Sequence, residues 1–84
     1  MDIIEKLKLG ICGINVTYEK EDIPEDEGLI ATGILDSFGF IELIEFIENE
    51  FGIEITPLEF TTDNFRDLTA TSEFIRNKLP TSTN

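Results

Sequence analysis

Apolar residues recur along this chain at intervals of three and four rather than two, the spacing that lines one face of an α-helix. Ile4, Leu7, Ile11 and Ile14 mark a first helix over residues 2 to 15. Gly10 and Gly13 interrupt it, each costing about 1 kcal/mol relative to Ala, so this helix leans on tertiary packing and frays or ends early. Residues 15 to 36 lose the periodicity and form a long acidic connection, in which Ile23, Leu29, Ile30 and Leu35 are the apolar residues able to pin it to a core. The stripe returns at Phe40, Leu43, Ile44, Ile47 and Phe51, which predicts a second helix from Ser37 to Phe51. Gly52 ends that helix in a left-handed cap, with Ile53 following as its apolar contact.

Thr56-Pro57-Leu58-Glu59 has the form of a capping box with proline at the first helical position, and predicts a short third helix. A last helix over 68 to 79 carries Leu68, Ile75 and Leu79 on one face with Phe74 beside them, and Pro80 stops it before a flexible tail at 80–84. No segment alternates at strand period and no repeat is evident. The expected architecture is all-α: a small four-helix bundle with a long first connection, one domain over 1–84 with its core in residues 2–79.

Charge narrows the partners. Eighteen acidic against six basic side chains give a formal net charge of -12, a field that repels nucleic acid and anionic lipid and attracts basic protein surfaces. The 40% hydrophobic content still supplies a core, so the acidity coats a folded domain. A self-complementary interface would have to avoid the acidic face, and a monomer is expected. Cys12 is the one cysteine, which excludes an intramolecular disulfide and a CxxC pair and points to a reduced, cytoplasmic setting. The start, Met-Asp-Ile-Ile-Glu-Lys, lacks a basic n-region and a long apolar h-region, and no stretch approaches the roughly 20 apolar residues of a membrane span.

The candidate chemistry lies in Gly33-Ile34-Leu35-Asp36-Ser37. This segment puts the Ser37 hydroxyl at the mouth of the acidic second helix, where a phosphodiester gains from exposed N–H groups and the positive end of the helix dipole. The plain alternative is that Asp36 or Ser37 is only an N-cap. Together with Phe51-Gly52-Ile53, the Glu-rich second helix, the acidity and the length, the segment resembles the acyl and peptidyl carrier proteins over about residues 2 to 79. The resemblance implies an acyl-carrier-like fold. It also implies a 4′-phosphopantetheine arm on Ser37 with Asp36 as flanking motif, thioester-bound acyl or aminoacyl cargo, and no catalysis by the carrier itself.

A phosphopantetheinyl transferase would attach the arm from coenzyme A. Acyl- or aminoacyl-loading ligases or adenylating enzymes would charge it, and synthases or transferases with basic surfaces would receive the cargo. The outward face of the second helix, with Phe38, Ile41, Glu42, Glu45 and Glu48, would meet those partners. In the family an acyl chain slips between the second and third helices, which makes Phe46, Ile47, Ile55, Leu58 and Phe60 candidates for a cargo pocket, with ordinary core as the alternative. The Gly-Ile-Leu-Asp-Ser form is more similar to stand-alone aminoacyl carriers, including D-alanyl carriers, and to some specialised acyl carriers than to the housekeeping fatty-acid protein. Departures from the family pattern are Leu35 before Asp36, Phe38 after Ser37, and Gly39. Gly39 is expected to loosen the helix start, and Phe38 to restrict which transferase accepts the chain.

Other chemistries are disfavoured. With no histidine, Ser37 and Cys12 lack the usual base of a nucleophilic enzyme. Placing Gly28 sixth in a calcium loop puts Ile23 first and Ile34 twelfth, neither able to ligate, so no metal site is expected. Cys12 reads as a small core residue. The rival to a carrier is an unmodified acidic helical interaction domain.

Overall fold

Four helices follow one another in the computed structural model, which describes residues 2–79: α1 (Ile3–Ile14), α2 (Ser37–Phe51), α3 (Thr62–Phe65) and α4 (Leu68–Lys78). Single 3-10 turns lie at Lys20–Asp22 and Pro57–Glu59, and the described residues contain no strand. The all-α, four-helix expectation is met. The tail at 80–84, read as flexible, and the stop at Pro80 lie outside the described residues.

The apolar stripes of α1, α2 and α4 meet in one core, where Leu7, Ile11, Leu43, Ile47, Leu68 and Ile75 are fully buried. Each such side chain contributes about 1.5–3 kcal/mol on leaving water. Gly10 permits this meeting: a Cβ at that position would sit 2.6 Å from the ring of Phe46 on α2. What reads in the sequence as a weak point is therefore a contact surface, whereas Gly13 faces open space.

The long connection is pinned by Ile23, Leu29 and Leu35, as expected, but its fourth anchor is Ile34 and not Ile30. Gly33 explains the exchange. Its φ of +81° belongs to the left-handed region that favours glycine, and its N–H donates to the Ile30 carbonyl at 3.0 Å. The turn sends Ile34 and Leu35 inward and leaves Ile30 half exposed on the outer limb. Ion pairs Lys8–Glu25 (2.8 Å) and Lys20–Glu5 (2.6 Å) fasten the acidic connection to α1. The start of α4 is tied to the same connection, Thr69 N–H and Oγ1–H both donating to the Glu25 carbonyl. The remaining Lys and Arg side chains are paired as well, Lys6 with Glu50, Arg66 with Asp67, Arg76 with Glu73 and Lys78 with Glu59.

The third helix departs from expectation. Thr56 N–H does donate to Glu59 Oε1 at 3.0 Å and Glu59 N–H to the Thr56 carbonyl, but the box closes only one 3-10 turn. The chain restarts at Thr61, whose hydroxyl accepts from Asn64 N–H at 3.3 Å and begins α3. Asn64 Nδ2 returns a bond to the Glu59 carbonyl at 2.7 Å, so side-chain bonds to backbone replace helix propagation here.

Lys78 sits 2.7 Å from Glu59, and its ammonium, with the Thr56 N–H, holds the Glu59 carboxyl at about 2 against an ordinary 4.5. A depressed carboxyl contributes stability that is complete above pH 4.5 and is lost as pH falls toward 2. Denaturant unfolding across that window should therefore show Glu59→Gln losing less stability on acidification than the parent. Equal losses would mean that the pair does not form in solution.

Candidate functional site

Asp36 begins α2 in extended conformation, its Oδ1 accepting the Gly39 N–H at 2.7 Å and its carbonyl accepting the Phe40 N–H at 2.9 Å. Ser37 is the first helical residue, exposed to solvent, in a helix of 15 residues. With the Asp36 carboxylate drawn onto the first turn, the neighbouring hydroxyl stands outside the cap at the positive end of the helix. Gly39 is buried there. A Cβ on it would lie 3.2 Å from Leu35 Cδ2, 3.3 Å from Asp36 Oδ1 and 3.4 Å from Ile14 Cγ2. Far from loosening the helix start, the bare Cα lets the preceding loop and the end of α1 close over it.

Outward from Ser37, Phe38 is 78% exposed and Ile41 is half exposed, and Glu42 and Glu45 continue the same face. Glu48, expected to point outward with them, is turned aside: its carboxylate accepts the Ile55 N–H at 2.8 Å and clasps the segment after α2. Glu48 thereby satisfies a backbone donor beyond the Gly52 cap, where φ is +66°.

The five residues expected to line a cargo pocket do not meet in one place. Phe46 covers Gly10 on the α1 side, Ile47 is core, Ile55 packs against the core, and Leu58 is 90% exposed. Only Phe60 borders the main cleft, a volume of about 430 Å³ between residues 28–31 of the connection, Phe40 of α2, and Phe60, Phe65 and Arg66. Phe60 stacks on Phe40 at 5.7 Å and meets Phe65 edge-on at 5.5 Å. Sequence reasoning assigned Phe40 and Leu29 to the core and left Phe65 unassigned. Phe60 and Phe65 flank an irregular restart, which offers no helical period to place them.

Among the described residues, no group of three or more His, Cys, Asp or Glu side chains is placed to hold a metal. Cys12 is half-buried, and burial together with Glu21, Asp22 and Glu19 pushes its thiol above the usual range.

Residues 9–72 match the family described as "Phosphopantetheine attachment site", and the exposed serine at the start of α2 falls inside that stretch. The chain belongs to this carrier family. A D-alanyl carrier protein of Bacillus velezensis is 38% identical over 69 residues, covering 82% of this chain and 78% of that protein. D-alanyl carrier proteins of two Streptococcus pyogenes strains are 41% identical over 51 residues, 58% of this chain and 65% of theirs, just under two thirds of their length.

As a member of the phosphopantetheine carrier family, the chain bears the 4′-phosphopantetheine group covalently, and its fold is that of an acyl-carrier-like bundle. Carriers of this family do not catalyse the chemistry of their cargo: a phosphopantetheinyl transferase modifies them and ligases load them. The residues present fit the group, since a hydroxyl in solvent at a helix N-terminus accepts a phosphodiester without burying its charge.

Proposed function

We propose that the chain is a carrier modified on Ser37, carrying an aminoacyl group of the D-alanyl kind as a thioester and presenting it to partner enzymes through the face Phe38, Ile41, Glu42 and Glu45. The observation that carries this reading is the exposure of Ser37 as the first residue of a long helix inside the family's matched stretch. In the transfer, Ser37 Oγ gives its proton to a base of the transferase and forms an O–P bond. The P–O bond within the diphosphate of coenzyme A breaks, and adenosine 3′,5′-bisphosphate leaves. Intact-mass measurement with coenzyme A, Mg²⁺ and a transferase tests it, the expected result being the gain of one phosphopantetheine.

The cargo assignment is supported by the names of the relatives. A longer acyl chain is the second reading, favoured by the apolar cleft between Leu29, Phe40, Phe60 and Phe65. Incubation of the modified chain with ATP, D-alanine and a D-alanine ligase, against acyl donors with an acyl ligase, separates them. A hydroxylamine-labile D-alanyl mass alone supports the first.

Glu42 and Glu45 are exposed and, among the described residues, outside any ion pair, suited to steering a basic partner. The double variant Glu42→Lys/Glu45→Lys is expected to lower kcat/KM with a transferase about tenfold at low salt, the gap closing as salt rises. A salt-independent deficit would place the partner contact elsewhere.

A further inference from the structure

We infer that Asn15 is a positioning residue for the modification of Ser37, an inference that rests on Ser37 being the attachment residue. Asn15 ends α1, its backbone N–H donating to the Ile11 carbonyl at 2.8 Å. Its carboxamide is used at both ends: Nδ2 donates to the Ile34 carbonyl at 2.8 Å, and Oδ1 accepts the Thr17 N–H at 3.1 Å. Of the side-chain hydrogen bonds among the described residues, the bond to Ile34 is the one joining the end of α1 to the loop that delivers Ser37.

The packing of Ile14 and Leu35 around Gly39 closes only part of that junction. A groove of about 200 Å³ opens between Ile14 and Asn15 on one side and Gly33, Ile34 and Asp36 on the other, and the Asn15 side chain spans it. The backbone ties of this loop, Gly33 N–H to the Ile30 carbonyl at 3.0 Å and Leu35 N–H to the Leu29 carbonyl at 3.1 Å, lie within the connection and move with it. Asn15 thus references the loop to the helical core three residues before the acceptor serine. An in-line displacement at phosphorus needs the attacking oxygen in a narrow range of positions, so slack in this loop reduces the aligned fraction of bound carrier. The outward face from Phe38 to Glu45 is untouched by the change. The loss therefore falls on kcat and not on KM.

The test uses the full chain, coenzyme A, Mg²⁺ and a phosphopantetheinyl transferase, with kcat and KM for the carrier read by intact mass below every variant's melting range. Asn15→Asp keeps the shape and the acceptor for Thr17 but sets an oxygen against the Ile34 carbonyl. Asn15→Ala removes both bonds without adding charge and stands in if the first fails to fold. Either is expected to lower kcat about five- to tenfold with KM within about twofold of the parent. Ile75→Val, a core change in α4, is expected to lower the melting temperature while leaving kcat unchanged. Parental kcat in a folded Asn15 variant, or an equal fall in Ile75→Val, overturns the inference. Modification of Ser37→Ala at the parental rate overturns the Ser37 reading instead.

Discussion

Ser37→Ala is expected to abolish the mass gain completely while leaving the chain folded. The side chain of Ser37 is in solvent and Ala is at least as good a helix former, so stability should change by no more than a few tenths of a kcal/mol. Among the described residues, Ser37 is the one hydroxyl at the first position of a long helix, whereas Thr62 opens a helix of only four residues. Thr71 and Ser72 are buried, Thr69 donates to the Glu25 carbonyl, Thr61 is the cap of a four-residue helix, and Thr32 donates to the Gly28 carbonyl. Thermal unfolding of the variant beside intact-mass measurement gives the answer directly. Full modification of the variant would move the attachment residue elsewhere on the chain, and absence of modification in the folded parent as well would favour the unmodified interaction domain.

The second large effect is expected at Gly39→Asp. The position is enclosed by Leu35, Ile14 and the Asp36 carboxylate, all within 3.4 Å of where a Cβ would lie. An aspartate there must bury a charge beside a like charge or push the loop off α1, at a cost of about 2–4 kcal/mol. For a domain of this size that is a fall of roughly 10–25 °C in melting temperature. Because the displaced element is the loop leading into Ser37, modification should slow more than the loss of folded protein accounts for. Gly39→Ala, which only crowds the same contacts, should lie between. A Gly39→Asp protein with the parental melting temperature and parental modification rate would show that the loop does not close over this residue.

Helices α1, α2 and α4, and the place of Ser37 at the start of α2, were legible in the sequence because each is written in a local code. The stripe from Phe40 to Phe51 and the glycine after it place α2 at Ser37–Phe51, the bounds that the sequence predicts. Gly10 and Gly39 were not legible. Each looks like a cost to its own helix, and its value appears only with the ring of Phe46 or the side chain of Leu35 set against it. The capping box at Thr56 was read as the start of a helix, but Thr61 supplies a competing cap five residues later, and propensity alone does not choose between two starts. The cleft escaped for the same reason: its walls come from the connection and the irregular restart, where neighbours in space are not neighbours at any fixed period. Glu48 looked like one more surface carboxylate because the backbone donor it satisfies lies beyond the Gly52 turn.

The pairing of the Lys and Arg side chains has a chemical side as well as an electrostatic one. A thioester is consumed by amines, thiolates and activated water, and a carrier that holds one must not supply them itself. Lysine attacks only as the free amine, and Glu5 keeps Lys20 protonated above its ordinary range. The thiol of Cys12 is held in its protonated, unreactive form by burial and by the acidic residues of the connection. Histidine, which would activate water, does not occur in the sequence. Glu5 and the acidic residues of the connection thus act, with burial at Cys12, against two of the chain's own nucleophiles, Lys20 and Cys12.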